Sequence, residues 1–111
     1  TSSGDLATGI IAPHGGKITA VYAICVRAPT DADVDIDLNV EIGGTNVTGG
    51  VVALLNSDAV AAKKSGTAVT AANVSHEGDT IDLEGVVNTA GTATDVGLYN
   101  VYIEYETLAG V

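Results

Sequence analysis

Glu77-Gly78-Asp79-Thr80-Ile81-Asp82-Leu83-Glu84 is the stretch whose reading decides the fold. Ile81 and Leu83 alternate with Thr80, Asp82 and Glu84. Upstream, Val34, Ile36, Leu38, Val40 and Ile42 alternate with Asp33, Asp35, Asp37, Asn39 and Glu41. Successive strand residues point to opposite faces, so a period of two places apolar groups on one face and carboxylates on the other. Both stretches therefore predict half-buried strands. Gly78-Asp79 is the turn that feeds the second of them.

Other strands follow outward from these two. Leu6 to Ala12 reads as a first short strand, closed by the turn Pro13-His14-Gly15-Gly16. Lys17 to Arg27 is the longest apolar strand. Strict alternation puts Ile18, Ala20, Tyr22, Ile24 and Val26 on one face and Thr19, Val21, Ala23 and Cys25 on the other. Both faces are mostly apolar, so the second is covered either by a loop or the N-terminal arm, or by another subunit. Ala28-Pro29-Thr30-Asp31-Ala32 is a turn, and Gly43-Gly44 is a tight hairpin signal. Thr45 to Thr48 reads as the returning strand and Val51 to Leu55 as a short apolar one. Residues 56–66 allow one helical turn, capped by Ser57 or Asp58 and stopped by Gly66, or a loop. Thr67 to Ser75 is expected to be a strand of small residues, and Thr80 to Val87 the acidic one. In the last strand, Gly97 to Thr107, Tyr99, Val101, Ile103 and Tyr105 face one way; Asn100, Tyr102, Glu104 and Glu106 face the other. Seven or eight short strands without a long helix predict an antiparallel β-sandwich, jelly-roll-like. The 111 residues make one domain (1–111), with a flexible N-terminal arm expected over about 1–12.

Composition agrees. Met, Trp and Phe are absent, so Val, Ile, Leu and Ala must fill the core, and the β-branched bias favours sheet. The net charge is −10, from 14 acidic and 4 basic residues, with no basic stripe. That argues against nucleic-acid binding and against an anionic membrane surface. No run reaches the ~20 apolar residues of a membrane-spanning helix. The opening Thr1-Ser2-Ser3-Gly4-Asp5 lacks the basic start and apolar segment of a secretion signal. A start at Thr1 is expected of a short complete protein stripped of its initiator Met, or of a trimmed chain. Cys25 has no internal disulfide partner and lies in an apolar run, so it is expected to be a buried, inert thiol.

Candidate chemistries are weak. In the ladder Asp31, Asp33, Asp35, Asp37, a calcium-loop glycine would fall at Ile36 and its bidentate Glu at Ile42. On a strand, carboxylates two apart are roughly 7 Å apart, too far to share an ion tightly. A solvated acidic face is the reading, with a weak or interface cation as the alternative. Carboxylates are too abundant for any pair to signal a glycosidase. His14 and His76 lie in turns with no nucleophile elbow near a Ser, and two His with one Cys make a poor zinc set. Asn46-Val47-Thr48 and Asn73-Val74-Ser75 match the glycosylation pattern and are read as chance. No enzyme and no cofactor is expected.

The run Ile18-Thr19-Ala20-Val21-Tyr22-Ala23, followed by Arg27-Ala28-Pro29-Thr30-Asp31-Ala32-Asp33-Val34-Asp35-Ile36-Asp37-Leu38, resembles a module common in tailed-bacteriophage structural proteins. There a strand leads to an "APTG-D" turn, a strand of alternating Val and Asp, and a Gly-rich hairpin such as Gly43-Gly44-Thr45-Asn46-Val47. Glu77-Gly78-Asp79-Thr80-Ile81-Asp82-Leu83 is similar to the module's late strand, and Val96-Gly97-Leu98-Tyr99-Asn100-Val101 to its closing strand. The chain departs from it at Asp31, where Gly is usual, and over the Lys-bearing residues 56–66. The resemblance spans Ile18 to Glu106 and offers no catalytic residues to carry over. It implies a capsid decoration (cement) protein on the virion exterior, homotrimeric, with the major capsid protein as partner. Thr1, Leu6, Ile10 and Ile11 of the arm, and Tyr22 and Cys25 of the doubly apolar strand, are the interface residues expected. The alternative is a tail or fibre module that recognises a host glycan or surface protein through loops 56–66 and 88–95.

Overall fold

The computed structural model describes residues 4–30, 35–87 and 97–110. Among these are nine strands and no helix. They are β1 (Gly4–Ile11), β2 (Gly16–Arg27), β3 (Ile36–Ile42), β4 (Thr45–Asn46), β5 (Val52–Leu54), β6 (Lys63–Ser65), β7 (Val74–Ser75), β8 (Thr80–Val87) and β9 (Leu98–Thr107). Two antiparallel sheets pack together as a β-sandwich. One has the order β1-β8-β3, with β4 and β5 side by side on the far edge of β3. In the other, β2 is central, with β9 along one edge and β6 and β7 along the other.

The two acidic strands are neighbours. β3 and β8 pair from Ile36↔Val87 to Ile42↔Ile81. Ile36, Leu38, Val40, Ile81 and Leu83 are buried, while Asp37, Asn39, Glu41, Asp82 and Glu84 line the outer face. The alternation read from the sequence holds here residue by residue. Gly43 and Gly44 form the β3–β4 turn with φ of 58° and 84°. Two positive φ values in sequence match the twist of a two-residue hairpin, which is why glycines stand there.

β2 departs from strict alternation. Its pairing with β9 runs Ile18↔Tyr105, then Ala20↔Glu104 and Val21↔Ile103, so Thr19 is an extra residue on β2. A one-residue bulge reverses the side-chain phase. Ile18 is therefore buried together with Val21, Ala23 and Cys25. Tyr22 and Ile24 lie half-buried on the opposite face, contrary to the grouping of Ile18 with them. Cys25 is buried, as its apolar setting required.

The first strand, expected over Leu6 to Ala12, runs from Gly4 to Ile11 and pairs with β8, so residues 4–11 of the arm expected over about 1–12 are strand. Of the two alternatives for residues 56–66, the loop is the one observed, and it ends in β6. Of the strand expected from Thr67 to Ser75, only Val74–Ser75 is regular. Ala72, at φ 53°, breaks it, because left-handed backbone cannot continue a strand. The stretch 66–71 instead laces the sheets together. Gly66 N–H donates to Val21 O, Gly50 N–H to Thr67 O, Thr67 N–H to Val51 O and Thr48 N–H to Ala71 O, all within 3.0 Å. This side of the sandwich is closed by backbone hydrogen bonds. Asp33 and Val34 of the acidic strand lie outside the described residues.

Candidate functional site

Among the described residues, the opposite side of the sandwich is open. β1 is the last strand of one sheet and β9 the last of the other. Between them runs an apolar groove of about 250 Å³, lined by Ile10, Ile11, Pro13, Ile81, Ile103 and Tyr105. The chain crosses from sheet to sheet at its end, through residues 12–15. Ala12 N–H donates to Asp79 O, Gly78 N–H to Ala12 O and Leu108 N–H to Gly15 O. Tyr105 anchors the floor: its hydroxyl donates to His14 O at 2.6 Å and pairs with Ser75 Oγ at 2.7 Å. Ser75 is fully buried, so that bond satisfies a group that water cannot reach. Ile10 and Ile11 remain 42% and 57% exposed at the rim. A rim of exposed isoleucines over an apolar floor is a surface for another apolar group.

Of the six residues expected at an interface, those whose side chains are described do not form one patch. Ile10 and Ile11 meet at the groove. Leu6 is part of β1, and Thr1 lies outside the described residues. Tyr22 sits on the outer face of the second sheet, its ring stacked on Tyr102 at 4.9 Å with Lys63 Nζ 4.6 Å from its centroid. Cys25 faces the core at 1% exposure and reaches no surface of the single chain. Sequence reasoning missed Pro13, Ile81, Ile103 and Tyr105 as groove residues. The adjacent pair Ile10-Ile11 was an available signal, because two consecutive isoleucines cannot both face one core.

The two outer faces differ in chemistry. The outer face of the β1-β8-β3 sheet is acidic and sets Glu41 against Asp82 and Asn39 against Glu84. Like charges directly opposite one another repel. Asp35, from the acidic ladder, accepts hydrogen bonds from Asn56 N–H and Nδ2 at 2.8 and 3.0 Å, so it holds the loop after β5. The outer face of the other sheet is mixed: exposed Val26, Leu98 and Tyr102 stand beside Lys63, Glu104 and the ion pair Lys17–Glu106.

A buried ionic cluster fixes loop 56–66. Asp58 accepts from Lys64 Nζ at 2.8 Å, from the Tyr99 hydroxyl at 2.7 Å and from Leu55 N–H at 3.0 Å. Burial alone would raise the Asp58 pKa, but the bonds from Lys64, Tyr99 and Leu55 overcome it and hold the carboxyl below its ordinary value. Burial, and then the bond to the Asp58 carboxylate, push the Tyr99 hydroxyl well above its ordinary range. Both shifts favour the same arrangement, an ionised Asp58 facing a neutral Tyr99. His14 and His76 are exposed, and His76 N–H donates to Asp79 Oδ2 at 2.7 Å. Among the described residues, no three His, Cys, Asp or Glu side chains gather around one point.

No protein-family model, no curated protein and no solved structure matches this chain.

Proposed function

We propose that this chain is a bacteriophage structural protein that decorates and stabilises a capsid exterior, with the major capsid protein as its partner. The resemblance to the phage virion module carries the reading. Its supports in the fold are the segments that bear that resemblance: strand β3, the Gly43-Gly44 hairpin and the Asp79-led strand β8 are neighbours in one sheet of a two-sheet sandwich. The open side adds a surface suited to another polypeptide, with exposed Ile10 and Ile11 above an apolar floor. A protein that binds the assembled shell and not its free subunits stabilises the shell by mass action, by about 2.7 kcal/mol per site at a hundredfold excess over Kd.

The test is to add purified chain to undecorated phage heads and image them by electron cryomicroscopy. The expected result is saturable, symmetry-related density on the head and a raised temperature of head rupture. Heads without such density would overturn the proposal. Binding to tails or to host cells instead would establish the tail or fibre reading.

A further inference from the structure

The two edge strands flanking the groove are built differently. β1 carries extra residues in its pairing with β8: Asp5↔Glu84 is followed by Ala7↔Leu83, and then by Ile10↔Ile81. Bulges on an edge strand protect it from pairing with another chain. β9 has no such protection. Both irregularities in the β2–β9 ladder, at Thr19 and Val26, add their extra residue to β2 and leave β9 unbroken. β9 is ten residues long, Leu-Tyr-Asn-Val-Tyr-Ile-Glu-Tyr-Glu-Thr, with no Pro, Lys or Gly. Among the described residues its second edge has no strand neighbour.

The strand is also nearly self-complementary about Tyr102. Antiparallel pairing of two copies centred there sets Tyr102 against Tyr102, Val101 against Ile103 and Tyr99 against Tyr105. On the outer face, Asn100 then meets Glu104 and Leu98 meets Glu106, so no two carboxylates oppose each other. Moving the centre to Glu104 would set Glu104 against itself. The sandwich's open side lies beside this edge, so pairing brings Ile10 and Ile11 against the second copy.

We infer that two copies of this chain join by antiparallel pairing of their β9 edges about a two-fold axis through Tyr102. The occupant of the edge is a second copy because the residue pattern complements itself, as an isologous contact requires. Each sheet gains a partner strand, and the stacked Tyr22–Tyr102 pairs of the two copies become one aromatic row. Such a contact closes at two subunits, in place of the homotrimer implied by the phage resemblance. It stands independently of the capsid proposal. With −10 on each chain, screening makes the dimer tighter as salt rises.

Sedimentation equilibrium on the full chain tests it. The expected mass is twice the 11.0 kDa of one chain. Asn100→Lys, facing Glu104 of the second copy, tightens the dimer, and Asn100→Glu weakens it about tenfold. Both changes are at an exposed position, and circular dichroism checks that each variant is folded. Under oxidation Tyr102→Cys gives a disulfide-linked dimer, and Glu104→Cys does not; buried Cys25 does not compete. A mass of one chain at every concentration, a trimer, or a dimer indifferent to both Asn100 changes and not cross-linked through position 102 would overturn the inference.

Discussion

Lys64 Nζ lies 2.8 Å from Asp58 Oδ1, and the Asp58 side chain is only 5% exposed. The two lie six positions apart in sequence. The pair joins the loop after β5 to strand β6, while Tyr99 ties the same carboxylate to β9 on the far side of β2. A single carboxylate thus spans three segments of one end of the sandwich.

Removing it is expected to cost more than removing its cation. Asp58→Ala leaves the Tyr99 hydroxyl, Leu55 N–H and Lys64 ammonium without their acceptor, a loss of about 3 kcal/mol or more. Lys64→Ala leaves Asp58 with two donors and removes a side chain that is itself 22% exposed, so about 2 kcal/mol is expected. Urea unfolding of the two variants checks the order; equal losses would show that the cation, not the network, carries the stability.

The same cluster sets a pH dependence at both ends. Asp58 titrates lower in the folded chain than unfolded, so the unfolded chain takes up the proton first as pH falls. Its contribution is complete above the ordinary carboxyl value of 3.8 and disappears as pH drops through the lowered folded value. Tyr99 is shifted upward from 10.0, so its contribution is complete below pH 10 and declines as pH rises beyond it. Thermal melts of Asp58→Asn should show a flatter acid limb than the parent, and those of Tyr99→Phe a flatter alkaline limb.

Ala61 holds φ at 72° while its N–H donates to Cys25 O at 2.8 Å. Left-handed backbone costs an alanine about 1 kcal/mol and a glycine almost nothing. Ala61 is exposed, so its methyl contributes little packing. Ala61→Gly is therefore expected to stabilise the fold by about 0.5 kcal/mol after the added unfolded-state freedom of glycine is counted. Differential scanning calorimetry would register a small rise in Tm.

Two glycines of positive φ should respond unequally to alanine. At Gly43, a Cβ meets nothing within 4 Å, and only the backbone penalty of about 1 kcal/mol applies. At Gly49, a Cβ would lie 1.9 Å from Ala68 O, within the lacing that closes the sandwich. The carbonyl is backbone and cannot swing aside, so Gly49→Ala should cost more than about 3 kcal/mol or fail to fold. Comparable stabilities for the two variants would contradict the close approach.

The strands easiest to read were those whose cause is local. In β3 and β8 the alternation of Ile, Leu and Val with Asp, Asn and Glu is continuous, and burial follows it one residue at a time. β9 behaves likewise, with Tyr99, Val101, Ile103 and Tyr105 all inward. β2 was legible as a strand and misread in its faces, because Thr19 looks in sequence like any other alternating residue. Its role as the bulge depends on β9, more than seventy positions away. The groove was half legible: Ile10-Ile11 marked an apolar surplus, but not the surface it would meet.

Alternation and turn chemistry were enough to determine an all-β chain with an acidic outer face, because each acts within a few residues. Pairing order is different in kind. Which strand ends as an edge, where an extra residue enters a ladder, and which side of the sandwich stays open are set by contacts between distant segments. The laced side at 48–51 and 66–71, the bulged β1 edge and the unbroken β9 edge exist only in the assembled sandwich. That assembly turns Tyr102 from one alternating residue among several into the centre of an exposed, self-complementary strand.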